Sequence, residues 1–249
     1  GLVFDGQNDY VDLANGPLIS NFPNWTFEAE VKLDGDITRD GMGHLDRYQI
    51  IYSEDIAEGS IFQIAVHGGQ LVSSVFRNSV WQEALSVPIP DYLIDSEGNS
   101  TEKCFHLGVV LSATEGMKLY VDGALLSANS SIVLPTNHTA ISSTLGRVTN
   151  ADGLGYLEGQ IHDVRLWNIT RSESEIRNDI GKDLTGQEIG LISYWKLDEG
   201  QGNTVFDSAR QQNSVSFNGA NWTSTDLSCL EVDYVYDVDA IDSDDDSLT

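Results

Sequence analysis

LEGQIHDVRLWNITRSESEI, residues 157–176, decides how the rest of the chain is read. It begins as a strand and ends as a helix. Ile161, Val164, Leu166 and Trp167 supply the β-branched and large apolar side chains of a half-buried strand. Asp163 and Arg165 share parity with Ile161 and Trp167, so a strict two-residue period fails. A β-bulge near His162 or Asp163 accounts for that, because one extra residue re-aims the side chains around it. Past Asn168 the pattern changes. Ser172 and Glu175 have the spacing of a capping box, and Ile176 and Ile180 lie four apart on one helical face. The expectation is a buried strand running straight into a short capped helix.

Upstream, WTFEAEVKL (25–33) alternates cleanly. Trp25, Phe27, Ala29, Val31 and Leu33 fall on one face, and Glu28, Glu30 and Lys32 on the other. GLVFDGQNDYVDL (1–13) reads as two strands around a turn. Gly68-Gly69 is a hairpin signal, and Asp122-Gly123 is the dipeptide of a type I′ turn. VPIPDYLIDSEGNSTEK (87–103), with two prolines, reads mainly as an exposed loop. From Glu231 the chain turns acidic and poor in apolar residues. Residues 1–228 are therefore expected to form one domain, followed by an acidic tail or linker over 229–249. Frequent glycine, sparse proline and short runs rich in Val, Ile, Thr and aromatics point to an all-β fold.

A net charge of −26 repels nucleic acid and anionic membrane surfaces. No apolar run is long enough to span a bilayer, so membrane insertion is not expected. The chain starts at Gly1 rather than Met, as a mature or excised fragment would. Six of its 15 asparagines, Asn24, Asn99, Asn129, Asn137, Asn168 and Asn221, head an Asn-X-Ser/Thr sequon. About two would arise by chance in a chain this rich in Ser and Thr, so the excess favours an extracellular glycoprotein. Cys104 and Cys229 are the only cysteines. Such a pair in a secreted chain suggests a disulfide, provided the fold brings them together.

The ordered set FDGQNDYVDL, WTFEAEVKL, FHLGVVLSATEGMKLYVDGALL, LGR and YLEGQIHDVRLWNITRSESEI resembles the laminin-G-like jelly-roll domain. That domain belongs to the concanavalin A-like group, which also includes pentraxins. GLISYWKLDEGQGNTVFDSARQQNSVSFNGANW (190–222) is similar to the same family. The resemblance implies two antiparallel sheets packed face to face, with one short helix on the C-terminal side. It does not fix a function, since the family includes adhesive, sugar-binding and structural members.

Related sandwiches hold a calcium between the N-terminal strand and a late-strand aspartate, and Asp5-Gly6 and Asp163 look like those positions. Hard cations take several oxygen ligands, so Asp5, Asp9 and Asp163 are the candidate calcium set, with Asp207 as a further contributor. The competing roles are turn hydrogen bonds for Asp5 and Asp9, and an ion pair with Arg165 or Arg147 for Asp163. Glucanases of this fold carry their acids as E-x-D-x-x-E or with one extra residue. Glu231, Asp233 and Asp237 come near the longer spacing but lie past the domain, and Glu28-Ala-Glu30 lacks the third acid. No catalytic residue is assigned. Trp81, Tyr92, Tyr156 and Trp222 lie near loops or strand ends, where aromatics either fill the core or stack on sugars. Trp25, Trp167 and Trp195 are expected in the core. The expected function is a non-enzymatic extracellular adhesion or structural module, stabilised by calcium. Its partners would be glycans, extracellular proteins or further copies of the chain. A calcium-dependent lectin is the main alternative, and a glycoside hydrolase the more distant one.

Overall fold

The structure is a computed structural model that describes residues 1–14, 16–37, 48–56, 59–77, 80–132, 142–148 and 155–223. Asn137, Cys229 and the tail over 229–249, with Glu231, Asp233 and Asp237, lie outside the described residues. The strands in chain order begin with β1 (Leu2–Asp5), β2 (Tyr10–Ala14), β3 (Trp25–Leu33) and β4 (Gln49–Ile56). Next come β5 (Gly59–His67), β6 (Gln70–Arg77), β7 (Val80–Pro88) and β8 (Cys104–Ser112). They continue with β9 (Gly116–Val121), β10 (Ala124–Asn129), β11 (Ser142–Leu145) and β12 (Glu158–Trp167). Helix α1 (Glu173–Asp179) precedes β13 (Leu191–Trp195), β14 (Thr204–Asp207), β15 (Gln212–Asn218) and β16 (Asn221–Trp222).

Two antiparallel sheets form a sandwich. One runs β10-β9-β8-β3-β12-β13-β14-β15, and the other β15-β2-β11-β4-β5-β6-β7. β15 joins them, pairing with β14 through its first half and with β2 through Phe217 and Asn218. β1 and β2 are neighbours in sequence but belong to different sheets. β1 pairs with β12 and β16, and β2 with β11 and β15.

The alternation of β3 decides what the sheets bury. Trp25, Phe27, Ala29, Val31 and Leu33 enter the core between the sheets with Phe105, Leu107, Val109 and Leu111 of β8. Trp25 meets Phe62 edge-on at 4.8 Å between ring centroids, and Phe27 meets Tyr52 at 5.0 Å. Trp195 is core, as expected. Trp167 is buried too, but outside this core: it lies under the guanidinium of Arg171, 4.2 Å from its ring centroid.

Local chemistry forms where the sequence signals it. Asp122 (φ 49°) and Gly123 (φ 71°) make the type I′ turn between β9 and β10, and Gly68 and Gly69 turn β5 into β6. Ser172 caps α1: its Oγ accepts from Glu175 N, and its own N–H donates to Glu175 Oε2 at 2.7 Å. The bulge is at Asp163, a non-glycine residue at φ 51°. It sits where β12 changes partners, since Leu2 of β1 pairs with Ile161 and Trp195 of β13 with Val164. The segment after β7 is more than an exposed loop. Ile89 and Leu93 are buried in the core, and Asp91–Leu93 forms one turn of 3-10 helix.

Candidate functional site

The second face of β3 is polar in sequence yet buried. Across the sheet, Glu28 lies between Gly108 and Arg165, and Glu30 between His106 and His162. Helix α1 and the segments flanking it cover this face. Glu28 Oε1 accepts from Arg171 Nη1 at 2.8 Å, and its Oε2 lies 3.3 Å from His106 Nε2 and 4.0 Å from Arg165 Nη1. Arg171 also donates to Glu175 O at 3.0 Å and to Asp179 Oδ2. Arg165 donates to the carbonyls of Asp179 (2.8 Å) and Lys182 (2.7 Å), placing a cation against the C-terminal, negative end of α1. Burial alone would raise the Glu28 pKa, but the His106 contact and the two guanidinium groups outweigh it and hold the carboxyl below its ordinary value. An ionised carboxylate sealed between two arginines is a structural group. It has no proton to give and no route to substrate.

Asp5 and Asp9 lie together, but Asp163 does not join them. Asp5 pairs with Glu158, and Asp163 lies five residues farther along β12, roughly 16 Å away at strand spacing. Asp163 instead forms an ion pair with Arg165 Nε, and its Oδ2 accepts from Tyr194 OH at 3.2 Å. The ion-pair role therefore replaces the metal role for Asp163. The bulge re-aims its carboxylate, but toward Arg165. Burial raises the Asp163 pKa more than Arg165 lowers it. Asp5 and Asp9 take the turn role: Asp9 Oδ2 accepts from Asp5 N at 2.9 Å, and Asp5 Oδ1 from Gln7 N at 2.9 Å. Asp207 Oδ1 accepts three backbone N–H groups, from Tyr194, Ala209 and Arg210, at 3.0–3.1 Å. Among the described residues, no three His, Cys, Asp or Glu side chains converge to hold a metal. The donor set named from sequence therefore does not fit a calcium ion.

Glu54, which the sequence did not single out, is a second committed acid. It is fully buried on β4 and accepts from Leu18 N (2.9 Å), Ile19 N (2.7 Å), Ser20 N (3.1 Å) and Tyr52 OH (2.6 Å). The signal that could have found it is its pairing with Tyr52 two residues before, on the same face of the strand.

Among the loop aromatics, Trp222 packs edge-on against Phe217 and donates Nε1–H to Gly202 O at 2.8 Å. Tyr156 is half-buried, and the side chain of Trp81 lies outside the described residues. Of the three whose side chains are described, Tyr92 alone is openly exposed, at 44%. Of the described sequon asparagines, Asn221 is exposed, while Asn24, Asn99, Asn129 and Asn168 are half-buried. Asn129 Nδ2 donates to Ala84 O at 2.9 Å. Cys104 opens β8, and Cys229 lies outside the described residues. No described helix is long and apolar enough to cross a membrane.

Known proteins place this geometry. Residues 5–177 match the laminin G-like family described as the concanavalin A-like lectin/glucanases superfamily. No curated protein sequence matches the chain. A candidate carbohydrate binding protein from Bacteroides ovatus ATCC 8483 has a similar structure, with a TM-score of 0.64 at 18% identity. The match covers 88% of this chain and 58% of that one, so the chain spans little more than half the length of that relative. A heptameric SAP-like pentraxin from Limulus polyphemus matches with a TM-score of 0.56 at 12% identity, over 91% of this chain and 95% of its own. The two-sheet sandwich and the family match over more than half the sequence lead to one conclusion: the chain belongs to the concanavalin A-like lectin/glucanases superfamily.

Proposed function

We propose that this chain is a non-enzymatic adhesion module of the extracellular space that works by binding glycans. One observation carries the reading: four of the buried carboxylates of the sandwich are committed to structure. Glu28 is held by Arg171, Glu54 by three backbone N–H groups and a tyrosine, Asp163 by Arg165, and Asp207 by three backbone N–H groups. A glycosidase needs two carboxyl groups facing one another about 5–9 Å apart across an open cleft. These four are closed off from one. The likeness to a candidate carbohydrate binding protein supports glycans as the ligand class. The excess of sequons supports an extracellular setting.

A glycan array probed with the purified chain, in calcium and again in EDTA, tests the reading. Binding to a defined set of glycans supports it, and dependence on calcium would make the module a calcium-dependent lectin. Silence in both conditions overturns glycan binding in favour of a purely structural role. Release of reducing ends from a bound polysaccharide overturns the non-enzymatic part.

A further inference from the structure

The Asp122-Gly123 turn gathers three side chains of different chemistry. Tyr92 reaches it from the loop after β7. The Tyr92 hydroxyl donates to Asp122 Oδ2, and Asp122 Oδ1 accepts from His106 N at 2.8 Å. The Tyr92 carbonyl accepts from Thr101 Oγ1 at 2.9 Å, and the adjacent Leu93 is buried in the core. The side chain is thus fixed at its backbone and at its hydroxyl, and yet the residue is 44% exposed. Arg177 reaches the same turn from α1. Its Nη2 donates to Gly123 O at 3.2 Å and to Glu173 Oε1 at 2.6 Å. A Cβ at Gly123 would stand 2.9 Å from Arg177 Cβ, so the arginine lies directly against the turn.

An exposed aromatic ring held in place offers a flat apolar surface that loses little conformational freedom on binding. After its two hydrogen bonds Asp122 keeps acceptor capacity, and Arg177 keeps N–H donors beyond the bonds it makes. A pyranose ring has complementary chemistry, with a C–H face that packs on an aromatic and a rim of hydroxyls that donate and accept. We propose that Tyr92, Asp122 and Arg177 form a sugar subsite. The Tyr92 ring stacks on one face of a pyranose, Asp122 accepts from its hydroxyls and Arg177 donates to them. The subsite rests on the glycan-binding reading above and names where on the sandwich that binding occurs.

Native electrophoresis through gels containing laminarin, mannan, xylan or galactan tests it, since the strongly acidic chain migrates fast and retardation is easily read. Tyr92→Ala should weaken retardation by the wild-type ligand roughly tenfold. Tyr92→Trp should restore it, because the stacking face returns. Arg177→Ala should weaken it by a smaller factor. Circular dichroism melting confirms that each variant is folded. If Tyr92→Ala retains wild-type retardation, the subsite is wrong while glycan binding stands. If none of the four polysaccharides retards the wild type, the subsite falls, and silence on the glycan array as well takes the broader reading with it.

Discussion

Replacing Glu28 tests whether α1 is anchored by charge. Glu28→Ala removes the acceptor of a 2.8 Å bond from Arg171 and the anion beside His106 and Arg165. Breaking a buried ion pair by deleting one partner costs about 3–5 kcal/mol, because the other charge is left uncompensated. Here the arginines keep other partners: Arg171 retains Asp179 and the Glu175 carbonyl, and Arg165 retains Asp163 and two carbonyls. The expected loss is therefore at the lower end, about 3 kcal/mol, or about 6–12 °C in Tm for a domain of this size. Glu28→Gln keeps an acceptor for Arg171 and should lose about half as much. Urea unfolding at pH 7, followed by tryptophan fluorescence and far-UV circular dichroism, measures both. The control is Asp12→Ala, which breaks a pair with Arg147 whose carboxylate partner is 41% exposed, and should cost less than about 1 kcal/mol. If Glu28→Ala costs no more than that control, the network is effectively solvated and the anchoring argument fails.

The same residue sets a pH dependence. The folded pKa of Glu28 lies below its ordinary 4.5, so the native state binds this proton more weakly than the unfolded chain does. Its stabilisation is complete above about 4.5 and is lost as pH falls through the lower folded value. Wild type and Glu28→Gln should therefore differ most at neutral pH and converge in acid. A gap that stays constant from pH 7 to pH 3 would show that the charge of Glu28 is irrelevant.

Asp163 has the opposite sign. Its folded pKa is raised by burial, so its ionisation opposes folding once pH rises above the ordinary carboxyl range. Asparagine tolerates the left-handed conformation of the bulge and keeps an acceptor for Arg165, which also retains two carbonyl partners, so Asp163→Asn should cost less than Glu28→Ala in urea unfolding. It should also leave any calcium-induced rise in Tm unchanged, and loss of such a rise would return Asp163 to the metal site. Glu54→Ala strands three backbone N–H groups and the Tyr52 hydroxyl in the interior and should cost about 3 kcal/mol or more by the same assay.

The sequence was most legible where the signal was local. The alternation of Trp25 to Leu33, the Ser172–Glu175 box, the Asp-Gly and Gly-Gly turns and the bulge at Asp163 each depend on residues within one turn or one strand. Alternation assigns residues to two faces but cannot say that both are covered. Glu28 is buried because Arg171, 143 positions later in the chain, crosses over it. The named calcium set does not converge for a related reason. Its three aspartates offer hard oxygen donors, but the register that sets Asp5 against Glu158 is a tertiary fact. The segment 87–103 contained a clue that its prolines masked, since Ile89 and Leu93 are four apart and both reach the core. Nothing local distinguishes Tyr92 from them.

The anchoring network bears on where function can reside. One face of β3 is filled by the core, and the other is sealed by α1 through Glu28, Arg171 and Arg165. This part of the sheet therefore offers a ligand its ends and not its faces. The helix that closes the outer face also braces one of those ends, because Arg177 lies about one and a half turns beyond Ser172 and donates to the carbonyl of Gly123. Rigid elements that hold loop-borne groups in place are the usual architecture of a binding site. The buried charges and the exposed Tyr92–Asp122–Arg177 group thus form one mechanical unit, and loosening α1 should weaken sugar binding even where the Tyr92 ring is untouched.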